Sequence, residues 1–121
     1  MSKTDFSSTF DELKKILTKY EKFLKVTANS ASAYNLNAGY SEKYKQEIFF
    51  GGVQIKKNYV SFYIMPVYIN PELLKDISPE LKKRMQGKSC FNFNKTDEQV
   101  IKELGSLADK GFQYYKKNNM L

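Results

Sequence analysis

Between Gly51 and Ile64 the chain writes out two strands and the reversal that joins them, and this segment most restricts the fold. Val53 and Ile55 alternate with Gln54 and Lys56; Val60, Phe62 and Ile64 alternate with Ser61 and Tyr63. A period of two is the repeat of a half-buried strand. A two-residue turn at Lys57-Asn58, with Asn tolerating positive φ, pairs Ile55 with Val60 and Val53 with Phe62. That register places Val53, Ile55, Val60, Phe62 and Ile64 on one buried face. Gln54, Lys56, Tyr59, Ser61 and Tyr63 fall on the other. The pairing set by the turn and the faces set by the alternation agree, which supports the hairpin. Gly51-Gly52 predicts a bulge or a close backbone approach, and Pro66 must end central pairing or sit at an edge.

Helix signals flank this hairpin. Thr9-Phe-Asp-Glu12 reads as a capping box, followed by apolar residues at Phe10, Leu13, Leu17, Tyr20 and Leu24. The spacing predicts a helix to about Lys25, whose other face is mostly lysine. Residues 27–45 show no clean period, although Tyr34 to Ala38 alternate and predict a short strand. Asn70-Pro-Glu72 and Ser78-Pro-Glu80 each place a capping residue, a proline and an acid where a helix begins. The first of these helices should last a turn or two. The second should run to Met85 or Gln86, with Gly87 stopping it. Ser89 to Asn94 reads as a strand with Phe91 and Phe93 on one face. Thr96-Asp-Glu-Gln99 is a second capping box. Val100, Ile101, Leu104, Leu107, Ala108, Phe112 and Tyr115 then make the apolar face of a helix to about Lys117. The expected fold is α+β: an antiparallel sheet with N- and C-terminal helices packed on one face and two short helices before the last strand.

The 121 residues suit a single domain spanning 1–121, and no linker or repeat divides them. Nine Phe and nine Tyr supply core material without staples. One cysteine excludes an internal disulfide, and no apolar run is long enough to span a membrane, so a cytoplasmic protein with no membrane partner is expected. The chain has no histidine. That excludes a Ser-His-Asp triad, a Cys-His pair and an imidazole metal site within one chain. The net charge of +7 favours anionic partners. Nineteen of the twenty cationic residues are lysines, whereas specific phosphate and base recognition favours arginine, so specific nucleic-acid binding is not expected.

The candidate site lies around the sole arginine and sole cysteine. Arg84 offers a planar fork, Lys88 an ammonium and Ser89 a hydroxyl for a phosphate or carboxylate. Cys90 would be nucleophilic only if neighbouring cations lowered its pKa, and no histidine can serve as its base. Tyr63, Met65 and Tyr68 are candidates for a wall. The cations of Lys82-Lys83-Arg84 also complement the negative end of the preceding helix. A stacking surface for single-stranded nucleic acid, drawn from Tyr34, Tyr40, Tyr44, Tyr59, Tyr63 and Tyr68, is a further possibility. The residues favour binding over catalysis, with a small anionic ligand or an acidic protein surface as partner and no cofactor.

Phe50 to Tyr68, Ser78-Pro-Glu-Leu-Lys-Lys-Arg-Met-Gln-Gly-Lys-Ser-Cys-Phe-Asn-Phe93 and Lys110-Gly-Phe-Gln-Tyr-Tyr-Lys116 resemble the YdhG-like family of small bacterial domains. The resemblance covers roughly residues 9 to 117. It implies a fold similar to the frataxins, with terminal helices on an antiparallel sheet. It also implies an iron-chaperone role as an alternative function, which would make iron the one cofactor to consider.

Overall fold

The computed structural model describes residues 2–43 and 45–118, with side chains from residue 6 onward. Helix α1 (Ser2–Thr18) leads into strands β1 (Lys25–Asn29), β2 (Ala33–Ser41), β3 (Gln46–Ile55) and β4 (Val60–Ile64). Three one-turn segments follow: α2 (Pro66–Ile69), a 3-10 turn (Pro71–Leu74) and α3 (Pro79–Lys82). Strand β5 (Cys90–Phe93) and the long helix α4 (Glu98–Lys117) complete the chain. The five strands form one antiparallel sheet in the order β1-β2-β3-β4-β5, so each strand pairs with its neighbours in sequence. The fold is α+β, with α1 and α4 against the same sheet face.

The hairpin adopts the register set by its alternation: Val53 faces Phe62 and Ile55 faces Val60. Strand β5 continues the apolar rows, with Phe91 opposite Phe62 and Phe93 opposite Val60. Lys56 N–H donates to the Tyr59 carbonyl at 2.7 Å, which leaves Lys57-Asn58 as the reversal. Asn58 does not use the left-handed region expected of it, because Lys45 is the only non-glycine residue described there. The two glycines of β3 face opposite sides. A Cβ on Gly51 would approach Leu17 of α1 to 3.2 Å, whereas one on Gly52 would meet the Asn35 carboxamide on the helix-free side. Phe50, beside them, falls at the register shift between Leu36↔Gly51 and Asn37↔Phe49 and forms the bulge.

The apolar face of α4 is buried as its period predicts, from Val100 to Tyr115. Tyr115 donates its hydroxyl to the Phe49 carbonyl at 2.7 Å, and Phe112 meets Phe50 edge-on, so the helix lies across β3.

Several boundaries differ from expectation. Helix α1 starts before Thr9, which is buried inside it rather than capping it. The helix ends at Thr18, and tight turns carry the chain from Lys19 to Leu24. Tyr20 causes this departure: its ring stacks on Phe112 at 4.6 Å and its hydroxyl reaches Asp109 at 3.1 Å. The residues from Lys25 then pair with β2. At α4 the cap is Asp97, whose carboxylate accepts from Val100 N–H, and Thr96 is not the capping residue.

Helix α3 is also shorter than expected. Ser78 caps it, accepting from Leu81 N–H at 3.1 Å. Lys83 and Arg84 continue as a turn, and from there the backbone pairs with β5. Gln86 N–H donates to the Cys90 carbonyl and Asn92 N–H to the Arg84 carbonyl, both at 2.8 Å, and Met85 bridges Phe91. Gly87, at φ 85°, is the turn of this small hairpin, not the stop of a helix. Residues 84–86 thus cover part of the outer edge of β5.

Candidate functional site

The hairpin at Gly87 and the one-turn helix α2 make the two banks of a groove. Pro66 has no N–H to extend pairing and suits a helix start. Met65 N–H makes the last bond of the ladder, to the Phe50 carbonyl at 2.8 Å. Val67 is buried in the core, and the single turn that anchors it throws Tyr68 outward, 54% exposed. On the opposite bank, Ile64 N–H donates to the Ser89 carbonyl at 3.0 Å, pinning the Gly87 turn beside α2.

The groove between them measures about 650 Å³. Val67, Ile69, Pro71, Leu74 and Met85 make it largely apolar, and Tyr68, Gly87 and Lys88 complete its lining. Lys88 Nζ stands 6.0 Å from the Tyr68 ring centroid, at the reach of a cation–π contact. Lys88 makes no ion pair among the described residues. An exposed ammonium above a ring at the side of an apolar groove can hold an anion whose remainder is apolar.

Of the seven residues singled out in the sequence, Lys88 and Tyr68 meet here. Met65 lies on the other side of Tyr68, where it joins Ile48, Phe49 and Glu47 around a smaller hollow of about 300 Å³. Arg84 lies elsewhere. Its Nη2 pairs with Asp97 Oδ2 at 3.1 Å, its guanidinium sits 5.3 Å from the Phe93 ring centroid, and its side chain is 20% exposed. Arg84 thereby ties the Gly87 hairpin to the cap of α4. Ser89 contributes its backbone carbonyl to the pinning bond and is half-buried.

Cys90 and Tyr63 face each other across β4 and β5 on the helix-free side of the sheet. The Cys90 thiol donates to Asn92 Oδ1 at 3.4 Å, and Ser61 donates to the same oxygen at 2.7 Å. Burial pushes the thiol pKa up, against smaller downward pulls from Ser61, Tyr63 and Lys56. A neutral, hydrogen-bonded thiol is a poor nucleophile.

The tyrosines singled out for stacking differ in exposure. Tyr34 is wholly buried, with its hydroxyl on Glu21. Tyr40, Tyr59 and Tyr68 are exposed, and Tyr44 lies outside the described residues. No group of three or more Cys, Asp or Glu side chains among the described residues could hold a metal ion. None of the described helices is long and apolar enough to cross a membrane. Comparison with family models, curated proteins and solved structures finds no match to this chain.

The groove floor was not singled out in the sequence. Ile69, Leu74 and Met85 flank two proline-started turns without any period of their own. The only available signal was that each of these short turns has too few residues to bury its own apolar side chains.

Proposed function

We propose that this chain is a non-catalytic binding module for a small amphiphilic anion, held between α2 and the Gly87 turn. The supporting observation is the Lys88 ammonium poised over Tyr68, with no acidic partner among the described residues, beside an apolar groove. The ligand's carboxylate or phosphate meets Lys88, and its hydrocarbon body covers Met85, Leu74 and Ile69. Burying that body supplies affinity at roughly 25 cal/mol per Å² of apolar surface, and the ammonium sets its orientation. The absence of histidine and the raised thiol of Cys90 favour binding over chemistry. The same reading keeps the chain with the YdhG-like domains that its central segments resemble, and in the cytoplasm.

Thermal unfolding in octanoate and in octyl phosphate tests the assignment, because a ligand that prefers the folded state raises the melting temperature. The wild type and Arg84→Lys should both shift upward. Lys88→Gln and Tyr68→Ala should shift little. Equal shifts in wild type and Lys88→Gln would remove the groove from consideration.

A further inference from the structure

The turn that follows α1 presents an aromatic ring and a set of cations that the groove reading leaves unexplained. Phe23 is 55% exposed, yet its position is fixed. Its N–H donates to the Tyr20 carbonyl at 2.9 Å, and its ring lies 5.5 Å from that of Phe112 on α4. Lys22 Nζ stands 5.2 Å from the Phe23 centroid, and Lys19 Nζ the same distance from that of Tyr20. Near this turn is a hollow of about 520 Å³ lined by Lys19, Lys102, Lys110, Ser106, Gly105 and Asp109. Lysines outnumber the acid three to one, and Asp109 already accepts the Tyr20 hydroxyl. None of the three lysines has an ion-pair partner among the described residues. Gly105 adds no side chain to the lining, and a Cβ there would meet Ile16 Cγ1 at 3.9 Å.

We infer that this face of the α1–α4 layer binds single-stranded nucleic acid without sequence preference. Lys19, Lys102 and Lys110 hold successive phosphates, and one base stacks on Phe23. Lysines act as point charges on a phosphodiester backbone, and a sequence-tolerant ring needs only a π-face. Five of the six residues around the hollow carry a charged or hydroxyl group, and the Phe23 ring is held against Phe112, which suits a strand laid across it better than a bilayer that must be penetrated by apolar groups.

Fluorescence anisotropy with a labelled twelve-residue oligothymidylate, and with an abasic strand of equal length, tests this. Three neutralised phosphates on a single strand predict a fall of roughly twentyfold in affinity between 50 and 200 mM salt. Replacing Lys19, Lys102 and Lys110 by Gln should abolish most of the binding and its salt dependence. A control that removes the same charge elsewhere, Lys75, Lys82 and Lys83→Gln, should bind as wild type does. Phe23→Ala should weaken oligothymidylate binding about tenfold and leave the abasic strand unchanged. No binding at 50 mM salt overturns the proposal, as does equal loss in the two lysine triples. An equal effect of Phe23→Ala on both strands overturns the stacking role. Sedimentation with phosphatidylserine vesicles in the absence of oligothymidylate binding would assign the face to a membrane surface instead.

Discussion

The hydroxyls of Thr9 and Thr96 meet at 2.7 Å although 87 positions separate the two residues in the chain. Each opens a sequence that reads as a capping box, and neither caps a helix. Thr9 is buried within α1, and Thr96 precedes the true cap of α4, Asp97. A helix-interior threonine normally turns back to its own backbone. Here the hydroxyl instead joins the first helix to the approach of the last.

A double-mutant cycle should expose this link. Thr96→Val leaves a buried hydroxyl on Thr9 without its partner and should cost about 1–2 kcal/mol. Thr9→Val should cost less than about 1 kcal/mol, because the more exposed Thr96 can turn to water. The double variant should be little worse than Thr96→Val alone. Urea unfolding measures all three, and strict additivity would show that the two hydroxyls are not coupled.

Two glycines of α4 should respond to alanine in opposite directions. A Cβ on Gly105 would make only an ordinary contact, with Ile16 Cγ1 at 3.9 Å, so Gly105→Ala should stabilise by about 0.5–1 kcal/mol through helix propensity. A Cβ on Gly111 would lie 2.9 Å from both Cβ and Cγ of Pro66, so Gly111→Ala should destabilise by about 1–3 kcal/mol. Thermal melts of the two variants check the sign of each change. A stable Gly111→Ala would mean that α2 yields to α4 more easily than its packing suggests.

The parts of the fold visible in the sequence are those whose pattern is local. Val53 to Ile64 alternates because one face is buried, and Val100 to Tyr115 follows the period of a helix on a sheet. Strand β1 was missed because it is an edge strand, exposed at four of its five positions, and so carries no alternation. The end of α1 was missed for a different reason: Phe23 and Leu24 continue the helical period, and the interruption comes from Tyr20 packing on Phe112, far along the chain. Gly87 is a stop signal by type and a turn by use, and only the pairing of Met85 with Phe91 distinguishes the two. The candidate groove shows the same division. Lys88 and Tyr68 were both visible as residues, but their meeting depends on the Ile64–Ser89 bond, whereas Arg84 is drawn away by Asp97.

Arg84 should matter to stability through the pair it makes with Asp97 and the ring it covers. Arg84→Ala loses a half-buried ion pair and the contact with Phe93, and should cost about 1–3 kcal/mol. Arg84→Lys should recover only part of this, since an ammonium cannot reproduce a guanidinium lying on a ring while it reaches the carboxylate. Guanidinium chloride titration at neutral pH measures both. Full recovery by lysine would mean that charge alone holds the hairpin to the cap of α4.

The chain should lose stability on the alkaline side. Burial, followed by the neighbouring Asp109 or Glu21 carboxylate, raises the pKa of Tyr20 and Tyr34, and burial raises that of Cys90. In each case the folded state holds its proton to higher pH than the unfolded chain. Their contribution is therefore complete below the unfolded pKa values, about 8.5 for a thiol and about 10 for a phenol, and declines as pH rises above them. Urea unfolding from pH 7 to pH 11 should show a midpoint falling above pH 9. Tyr20→Phe has no phenol to ionise, so it should start less stable at pH 7, having lost the Asp109 bond, and then decline less steeply. A Tyr20→Phe profile parallel to that of wild type would place the alkaline loss on other groups.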